Sequence, residues 1–462
     1  MVKPDVRLLD AAPDLLALHD SAPDMFPFLL RSVSPGNASV HYDILFAAPS
    51  GALTLRFADN ALTLAVSGDA PSGLLQESDD FLVGLDRWFA QDGGHANQSH
   101  RLPFVGGWFV YLSYELAQQI EPSLRLPVAD EQLVAAAVRI PAAIICEKTD
   151  GVPGQCFLVT EHPSLQAPLL DQLRELQPKP RSLSPIMLSE DAPEQFLDAV
   201  ITAKQAIEAG DVYQANLSRA WRGRLPDDAT SALFDALCRE NPAPFAALAR
   251  FDDLHIVSSS PERLVSVHGD RVDTRPIAGT RPRGLDSAED QRLLDELLAN
   301  QKELAEHVML IDLERNDLGR ICEAGSVEVD EYMAIESYAH VHHIVSNVTG
   351  RLRSEVGPGE TLRAVFPGGT ITGCPKVRCM QLIADLEQAP RGAYTGSLGY
   401  LGRDGRMDLN ILIRTMALSE HHLSFRAGAG IVADSEPAAE LAETRAKARG
   451  LIRAMGAASC TS

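Results

Sequence analysis

The chain has 462 residues, of which 45% are hydrophobic and 23% charged, and its formal net charge is -22. This acidic balance argues against nucleic acid and anionic membranes as partners, because both require a positive protein surface. No apolar run has the length of a membrane span and no signal peptide is recognisable. The seven cysteines are scattered and form no C-x-x-C pair. These features predict a cytoplasmic protein with inert free thiols.

The region over 1–165 has the composition and periodicity of a β-rich segment, and a short helix is predicted over 169–177. Proline and serine are then frequent over 177–194, which indicates a boundary before a second region over 190–455. We expect the two regions to form one globular unit. The predicted strands and hairpin turns of the first region are 41–49, 52–66 with a turn at Asp59-Asn60, and 142–161 with a turn at Asp150-Gly151.

The second region mixes strands with long helices, which predicts an α+β fold with largely antiparallel sheets. Its predicted helices are 199–211, 287–315 with an apolar stripe through Leu293, Leu294, Leu297, Leu298 and Leu304, and about 436–454 with Asp434 or Ser435 as the N-cap. Its predicted strands are 212–225, 256–279 with a turn at His268-Gly269-Asp270, 342–352, and a three-stranded meander over 396–433 with turns at Asp404-Gly405 and His421-His422.

The tetrapeptide ELAE occurs twice, and each copy lies in a predicted helix. Glu303 and Glu306 share one helix face through their i, i+3 spacing, as do Glu440 and Glu443. Two such faces in contact would need a cation, because like charges that close are unfavourable. Magnesium suits carboxylate oxygens. On spacing alone, two solvated acidic helix faces are the favoured interpretation.

Two further motifs are best interpreted as structural. The segment FPGGTITGCPK lacks the Lys-Ser/Thr pair that follows Gly373 in a phosphate-binding loop, so a turn before a helix starting at Pro375 is predicted. His340, His342 and His343 invite a zinc interpretation, but no cysteine lies near them. On a strand, His343 would point away from the other two. A structural or single-histidine role is therefore favoured.

Several segments of the second region, in order, resemble those of the chorismate-utilising enzymes, which include anthranilate, aminodeoxychorismate, isochorismate and salicylate synthases. The resemblance implies a four-layer α/β/β/α sandwich built on two large, mostly antiparallel sheets, with the active site in a cleft between them. The matching segments are SPERL, RPIAGTRPRG, KELAEHVMLIDLERNDLGR, FPGGTITGCPKVRCMQLI, GSLGYL, IRT and AGAGIVADS.

The resemblance also implies a magnesium site that binds the ring carboxylate of chorismate. Glu306 and Glu443 would be the metal ligands, and Glu303 and Glu440 would hold metal-bound waters. This cation would explain how so acidic a protein binds a dianionic substrate.

Catalytic and substrate-binding roles follow from the same resemblance. Glu262 would protonate the departing C4 hydroxyl, and Arg414 would bind the enolpyruvyl carboxylate through its planar guanidinium. The implied catalytic positions are Gln214, Glu262, Ala278, Thr280 and His343. The implied substrate-binding positions are Gly279, Thr370, Tyr394, Arg414, Ala427, Gly428, Ala429, Gly430 and Lys447.

Two residues bear on the reaction. At position 214 this sequence has glutamine and so resembles the family members that use ammonia. Members that add water have a lysine at this position. Ala278 lies in PIAGT, which is typical of anthranilate synthases, because aminodeoxychorismate synthases usually carry lysine at this position. YQANL, NPAPF and the N-terminal segments are closer to aminodeoxychorismate synthases.

We therefore expect an aminodeoxychorismate synthase large subunit of the PIAGT subtype, acting through noncovalent 2-amino-2-deoxyisochorismate. Ammonia would come from a separate glutamine amidotransferase subunit. An anthranilate synthase large subunit is the alternative. An inactive scaffold homologue is disfavoured, because the expected acid, cations and carboxylates are all present.

Overall fold

The computed structural model describes residues 4–33, 40–76, 79–93, 101–149, 152–226, 229–284, 286–337 and 341–456. Over these ranges the chain forms two large antiparallel sheets and eleven α-helices. None of these helices has the length and apolar content of a membrane-spanning segment. Four features that carried predictions lie outside the described residues: the side chain of Thr280, the turn at Asp150-Gly151, His340 and Cys460.

The strands are β1 (Asp5–Leu8), β2 (Phe28–Arg31), β3 (Val40–Ala47), β4 (Gly51–Ala58), β5 (Ala61–Gly68), β6 (Gly107–Leu112), β7 (Gln132–Ile140), β8 (Ala142–Thr149), β9 (Val152–Thr160), β10 (Ser189–Glu190), β11 (Gln214–Arg224), β12 (Phe245–Phe251), β13 (Leu254–Ser260), β14 (Arg263–His268), β15 (Arg271–Arg275), β16 (Ile277–Pro282), β17 (Glu328–Ser337), β18 (Val341–Arg351), β19 (Gly373–Cys374), β20 (Ser397–Gly402), β21 (Met407–Ile411), β22 (Thr415–Ser419) and β23 (His422–Ile431).

The α-helices are α1 (Leu15–Ser21), α2 (Phe81–Asp92), α3 (Ala117–Ile120), α4 (Gln166–Glu175), α5 (Pro193–Glu208), α6 (Thr230–Glu240), α7 (Ser287–Ala299), α8 (Gln301–Gly319), α9 (Pro358–Val365), α10 (Lys376–Glu387) and α11 (Pro437–Ala454).

Both sheets contain strands from either side of the proline-rich segment. The first sheet has the order β1-β9-β8-β3-β2-β12-β13-β22-β23-β11-β10, with β19 paired to β11. The second has the order β16-β18-β15-β14-β21-β20-β6-β7-β4-β5, with β17 paired to β18. All of these pairings are antiparallel, as predicted. The division into 1–165 and 190–455 stays a prediction.

Three apolar cores define the layers. One packs α1, α4, α6 and α11 against the first sheet, and a second packs α2, α8 and α9 against the second sheet. The third lies between the sheets, where the rings of Phe28 and Phe109 stack with their centroids 4.0 Å apart. This arrangement confirms the predicted α+β, four-layer sandwich. A cleft between two sheets can receive catalytic side chains from both.

Some predictions about individual helices are wrong. The segment predicted as one helix over 287–315 is two helices, α7 and α8, interrupted at Asn300. On the predicted stripe Leu297 is buried, but Leu298 is 45% exposed. Neither Asp434 nor Ser435 is the N-cap of α11, which is Glu436.

The predicted three-stranded meander near the C-terminus is also wrong. It is four strands divided between the sheets, since β20 and β21 belong to the second sheet and β22 and β23 to the first. The second turn consists of Glu420 and His421, both with positive φ, and His422 already begins β23. Periodicity identifies strands but does not say which sheet they join.

The prediction of seven free thiols is wrong for one pair. Cys146 on β8 lies directly opposite Cys156 on β9, with a Cα–Cα distance of 4.1 Å, and the two form a disulfide. The pairing follows from hairpin register, which a cysteine count cannot supply. Cys238, Cys322, Cys374 and Cys379 are free thiols.

Candidate active site

Two neighbouring crossovers between the sheets bring a carboxylic acid and a cation together. Glu262 lies where the chain passes from β13 in the first sheet to β14 in the second. Arg414 lies where it returns from β21 to β22, and β13 pairs with β22 as β14 pairs with β21. The backbone N–H of Ile411 donates to the Glu262 carbonyl at 3.0 Å, and that of Ser259 donates to the Arg414 carbonyl at 3.2 Å. The crossovers therefore lie side by side.

The Glu262 carboxyl is suited to donate a proton near neutral pH. The residue is 4% exposed, and burial raises the pKa of this carboxyl to about 7. The nearby Thr370 hydroxyl, Lys447 and Arg414 oppose the increase without cancelling it. A carboxyl that is still partly protonated at pH 7 meets the main requirement for a general acid.

His342 and His343 point to opposite sides of β18, as the sequence predicted for a strand. The ring of His342 contacts Asp290 at 2.9 Å and Ser337 at 2.7 Å, which is a structural role. His343 lies on the site side. Burial lowers the pKa of His343 to about 3, and Arg414 contributes to the decrease. The imidazole is therefore neutral and able to accept a proton or a hydrogen bond.

Gln214 and Glu306 contact each other beside a glycine of the last strand. The Gln214 amide, at the start of β11, donates to Glu306 Oε1 on α8 at 2.8 Å. A Cβ atom added to Gly430 on β23 would lie 2.6 Å from Gln214 Nε2 and 3.4 Å from Glu306 Oε1. The absence of a side chain at Gly430 therefore creates the space in which these two polar groups meet.

The helix α11 supplies a lysine and a glutamate to the opposite edge of the same strand. Lys447 donates to the Gly428 carbonyl at 3.0 Å and pairs with Glu443 at 2.7 Å. Partial desolvation would lower the pKa of Lys447, but Glu443, Tyr394 and Glu306 outweigh it and the pKa is raised. Glu306 and Glu443, the second glutamates of the two ELAE segments, therefore both raise the pKa of Lys447.

Both ELAE segments are helical, as predicted, but their first glutamates differ in surroundings. Glu303 accepts from Arg281 at 2.7 Å and from Asn300 at 3.2 Å. Its Oε2 would lie 2.8 Å from a Cβ on Gly279, whose φ of +77° favours glycine. Glu440 is 8% exposed. Glu303 therefore lines the PIAGT strand.

The oxygen atoms at this site are of the chemical type that magnesium prefers as ligands. Among the residues that the structure describes, Glu303 Oε2 and Gln214 Oε1 are buried acceptor atoms without a hydrogen-bond partner, and Glu306 lies beside Gln214. Within the described ranges, no three His, Cys, Asp or Glu side chains gather as a ready metal cluster. Magnesium usually takes one or two protein carboxylates and keeps several waters, so it does not require such a cluster.

The remaining predicted positions differ in where they lie, since Gly428 and Gly430 face this space whereas Ala427 and Ala429 pack into two apolar cores. Ala278 is 7% exposed on β16, opposite Ile344 of β18. Thr370 lies in a 3-10 turn over Gly369–Ile371. Ala427, Gly428, Ala429 and Gly430 pair with β11, and the Tyr394 hydroxyl would lie 2.6 Å from a Cβ on Gly428. The roles of all these positions stay predictions.

Sequence reasoning missed a cavity that lies outside the predicted site residues. A cavity of about 630 Å³ lies beside the loop that carries Glu262, and none of the predicted site residues lines it. Its wall includes Arg31 and Tyr42 from the first region, and Arg275 and Asp408 from the second. No periodicity or spacing in the sequence links these distant segments, so no sequence signal identified the cavity.

Replacing Gly428 with alanine is expected to weaken chorismate binding. The new Cβ would lie 2.7 Å from the Leu217 carbonyl oxygen and 2.6 Å from the Tyr394 hydroxyl. Forced contacts of this kind cost about 1–3 kcal/mol. Calorimetric titration with chorismate measures the change. Gly319→Ala is the control, because no atom lies within 4 Å of its added Cβ. Unchanged affinity in Gly428→Ala would contradict the prediction.

Comparison with known proteins identifies the family of this chain. The family described as chorismate binding enzyme matches residues 53–453. A Synechocystis protein named anthranilate synthase component I-like protein is 43% identical over 374 residues, covering 78% of this chain and 74% of that protein. Anthranilate synthase component 1 of Methanothermobacter thermautotrophicus is 36% identical over 432 residues, covering 93% and 89%.

Solved structures support the same assignment. Anthranilate synthase component I from Streptococcus pneumoniae superposes with a TM-score of 0.77 at 32% identity, covering 89% of this chain and 92% of that one. The menaquinone-specific isochorismate synthase from Escherichia coli gives a TM-score of 0.71 at 19% identity, which shows a shared fold alone, and covers 98% and 95%. The chain belongs to the chorismate-binding enzyme family and is a chorismate-utilising enzyme.

Proposed function

We propose that this chain is the large subunit of an anthranilate synthase, which aminates chorismate at C2 with ammonia and releases pyruvate. The observation that carries the proposal is the buried Glu262 carboxyl, with its raised pKa, facing the cations Arg414 and Lys447. An acid beside two cations suits the removal of a hydroxyl group from an anionic substrate. Ala278 and the names of the relatives support amination at C2.

In the first step ammonia attacks C2, the ring double bonds shift, and the C4–O bond breaks. Glu262 donates a proton to the departing oxygen, so that water leaves rather than hydroxide. Arg414 and Lys447 bind the substrate carboxylates and keep the dianion in place. The product is 2-amino-2-deoxyisochorismate. Gln214 has no basic group, which suits ammonia, since ammonia carries its own lone pair and needs no deprotonation.

In the second step the C2 proton is removed and the bond from C3 to the enolpyruvyl oxygen breaks. The ring becomes aromatic, and the released enolate takes up a proton at its methylene carbon to become pyruvate. The neutral imidazole of His343 is suited to accept the C2 proton. Burial is the main cause of the low pKa of His343 and Arg414 adds to it, so a bound dianion beside Arg414 would offset only the smaller, Coulombic part of the decrease.

Glu306 and Glu443 would hold Mg²⁺, with Glu303 and Glu440 beside them. When bound, the ion supplies positive charge for the ring carboxylate of the substrate. The partners of these carboxylates, Gln214 and Lys447, would then be free to contact substrate. Ammonia would come from a separate glutamine amidotransferase subunit.

Aminodeoxychorismate synthesis, which the sequence analysis favoured, is the second candidate. In that reaction a second ammonia would add at C4, the ring double bonds would shift back and the C2 amino group would leave as ammonia, while the enolpyruvyl group is retained. The segment YQANL favours it, and its Asn216 is buried, with the side-chain amide donating to the Ile371 carbonyl at 3.1 Å. The relatives nevertheless support the anthranilate alternative better.

One assay separates the two candidates. The protein is incubated with chorismate, Mg²⁺ and ammonium chloride, and the products are identified by fluorescence and mass spectrometry. We expect blue-fluorescent anthranilate and an equal amount of pyruvate. A pyruvate-free product that an added lyase converts to p-aminobenzoate would instead establish the second candidate. No turnover, even with an amidotransferase and glutamine, would indicate an inactive homologue.

A further inference from the structure

A buried ion cluster lies behind the substrate-binding positions and takes no part in the chemistry described above. It consists of Glu387 at the end of α10, Arg391 in the following loop and Arg426 on β23, and we call it the Glu387 cluster. The exposed fractions of these three side chains are 3%, 1% and 8%. Burying three charges is costly unless every one is paired.

The carboxylate of Glu387 joins three separate segments of the chain. Its Oε1 accepts from the backbone N–H and the hydroxyl of Ser218 on β11, at 2.8 and 2.9 Å, and from Arg391 at 2.7 Å. Its Oε2 accepts from Arg426 at 2.9 Å and from Arg391 Nε at 3.1 Å. Burial would raise the pKa of Glu387, but Arg391 and Arg426 outweigh it and lower the pKa. The carboxylate is therefore ionised.

Arg391 connects Glu387 to two positions that face the substrate. Its guanidinium lies over the Tyr394 ring, 5.5 Å from the centroid. It also donates to the Ile371 carbonyl at 3.2 Å, next to Thr370, and to the Asn216 carbonyl at 2.6 Å. The backbone N–H of Arg391 donates to the buried Glu115 at 2.8 Å. The loop that carries Tyr394 is thus held from both sides.

Ser218 and Arg426 connect Glu387 to strand β23, which carries Gly428. Arg426 Nε donates to the Ser218 hydroxyl at 2.9 Å, and Ser218 pairs across the ladder with Gly428. Gly428 in turn has the Tyr394 hydroxyl beside it and the Lys447 ammonium on its carbonyl. The Glu387 carboxylate is therefore linked through these contacts to the positions of Tyr394, Thr370 and Gly428.

We propose that Glu387 is a positioning residue for substrate binding, which sets Tyr394 and Gly428 at the separation that one carboxylate of the substrate requires. The proposal rests on the proposed function, because the substrate-binding role of Tyr394 is implied by the family resemblance and holds only if this chain acts on chorismate. Its basis is the set of hydrogen bonds that link Glu387, Arg391 and Ser218, which hold the loop and the strand in register. A displacement of about 1 Å at such a site can cost about a hundredfold in rate or affinity.

The test is Glu387→Gln, which keeps the shape of the side chain and removes its charge. We expect the KM for chorismate to rise about tenfold while kcat stays within about threefold. Direct titration with chorismate should show the same weakening, whichever product the enzyme makes. A failure of the proposed function would change the product, whereas a failure of this proposal would leave chorismate affinity unchanged.

Glu161→Gln is the matched control. Glu161 is also buried, and it pairs with Arg139 at 2.6 Å in the first region, with exposed fractions of 5% and 10%. Its loss should lower the melting temperature and leave KM unchanged. If Glu387→Gln behaves in this way too, the cluster is only structural and the proposal is wrong.

A milder variant keeps the proposal testable if Glu387→Gln does not fold. Ser218→Ala removes the hydroxyl that links Glu387 to Arg426 and leaves all three charges in place. It should raise KM about threefold, and an unchanged KM would overturn the proposal. Combining Ser218→Ala with Tyr394→Phe should raise KM by less than the product of the two single effects, because both act on one contact. Independent effects would also overturn the proposal.

Discussion

Glu262→Gln is expected to lower kcat by roughly 10²–10⁴-fold, the usual contribution of a general acid. Glutamine has the same shape but cannot protonate the departing hydroxyl. The KM for chorismate should change much less, because Arg414 and Lys447 remain. Steady-state kinetics with ammonium chloride measure both constants. A variant that retains kcat within tenfold would contradict the acid role.

The pH dependence provides a second measurement on the same residue. Glu262 acts only while protonated, and burial raises the pKa of its carboxyl to about 7. The kcat of the wild-type enzyme should therefore fall as the pH rises through about 7, and this fall should be absent from the residual rate of Glu262→Gln. The kcat must be measured with saturating ammonia at each pH, because the concentration of free ammonia rises with pH.

Asp86→Asn is the control for this titration. Asp86 accepts hydrogen bonds from the first turn of α9 through Gly359 and Glu360, and burial raises its pKa to about 6. It is a half-buried acid outside the predicted site. Its replacement should lower the melting temperature but leave the pH profile of kcat unchanged. A shifted profile in Asp86→Asn would show that the titration reports global stability rather than Glu262.

Glu306→Ala is expected to raise the Mg²⁺ concentration for half-maximal activity at least about tenfold, or about 1.4 kcal/mol of binding. The variant removes one of the two proposed ligands and also the acceptor of the Gln214 amide. Calorimetric titration with Mg²⁺ alone gives a readout that is independent of turnover. Glu443→Ala should behave in the same way.

Asp312→Ala is the matched control on the same helix. The Asp312 side chain is 66% exposed and pairs only locally, with Arg315 at 2.9 Å. Surface pairs of this kind contribute about 0–1 kcal/mol. Its Mg²⁺ dependence should therefore equal that of the wild-type enzyme. If Glu306→Ala also keeps wild-type Mg²⁺ affinity, the proposed magnesium site is wrong.

Local patterns in the sequence predicted many elements correctly. Apolar periodicity located the helices that carry both ELAE segments and most strands of the second region. It missed α1, α2, α3, α6 and α9. It also merged α7 with α8, because a short interruption at Asn300 barely alters the apolar spacing. Candidate site residues were predicted through family resemblance rather than through periodicity, and their roles await the experiments above.

The sequence by itself determined the α+β class, the helical i, i+3 carboxylate pairs and the kinds of side chain available for catalysis, because these depend on local spacing and chemistry. Only the tertiary structure decided that Glu262 and Arg414 lie on adjacent crossovers, that Cys146 pairs with Cys156, and that Glu387 joins three segments. Long-range strand pairing sets these contacts. The raised pKa of Glu262 likewise follows from burial, which is a property of the packed molecule rather than of any segment.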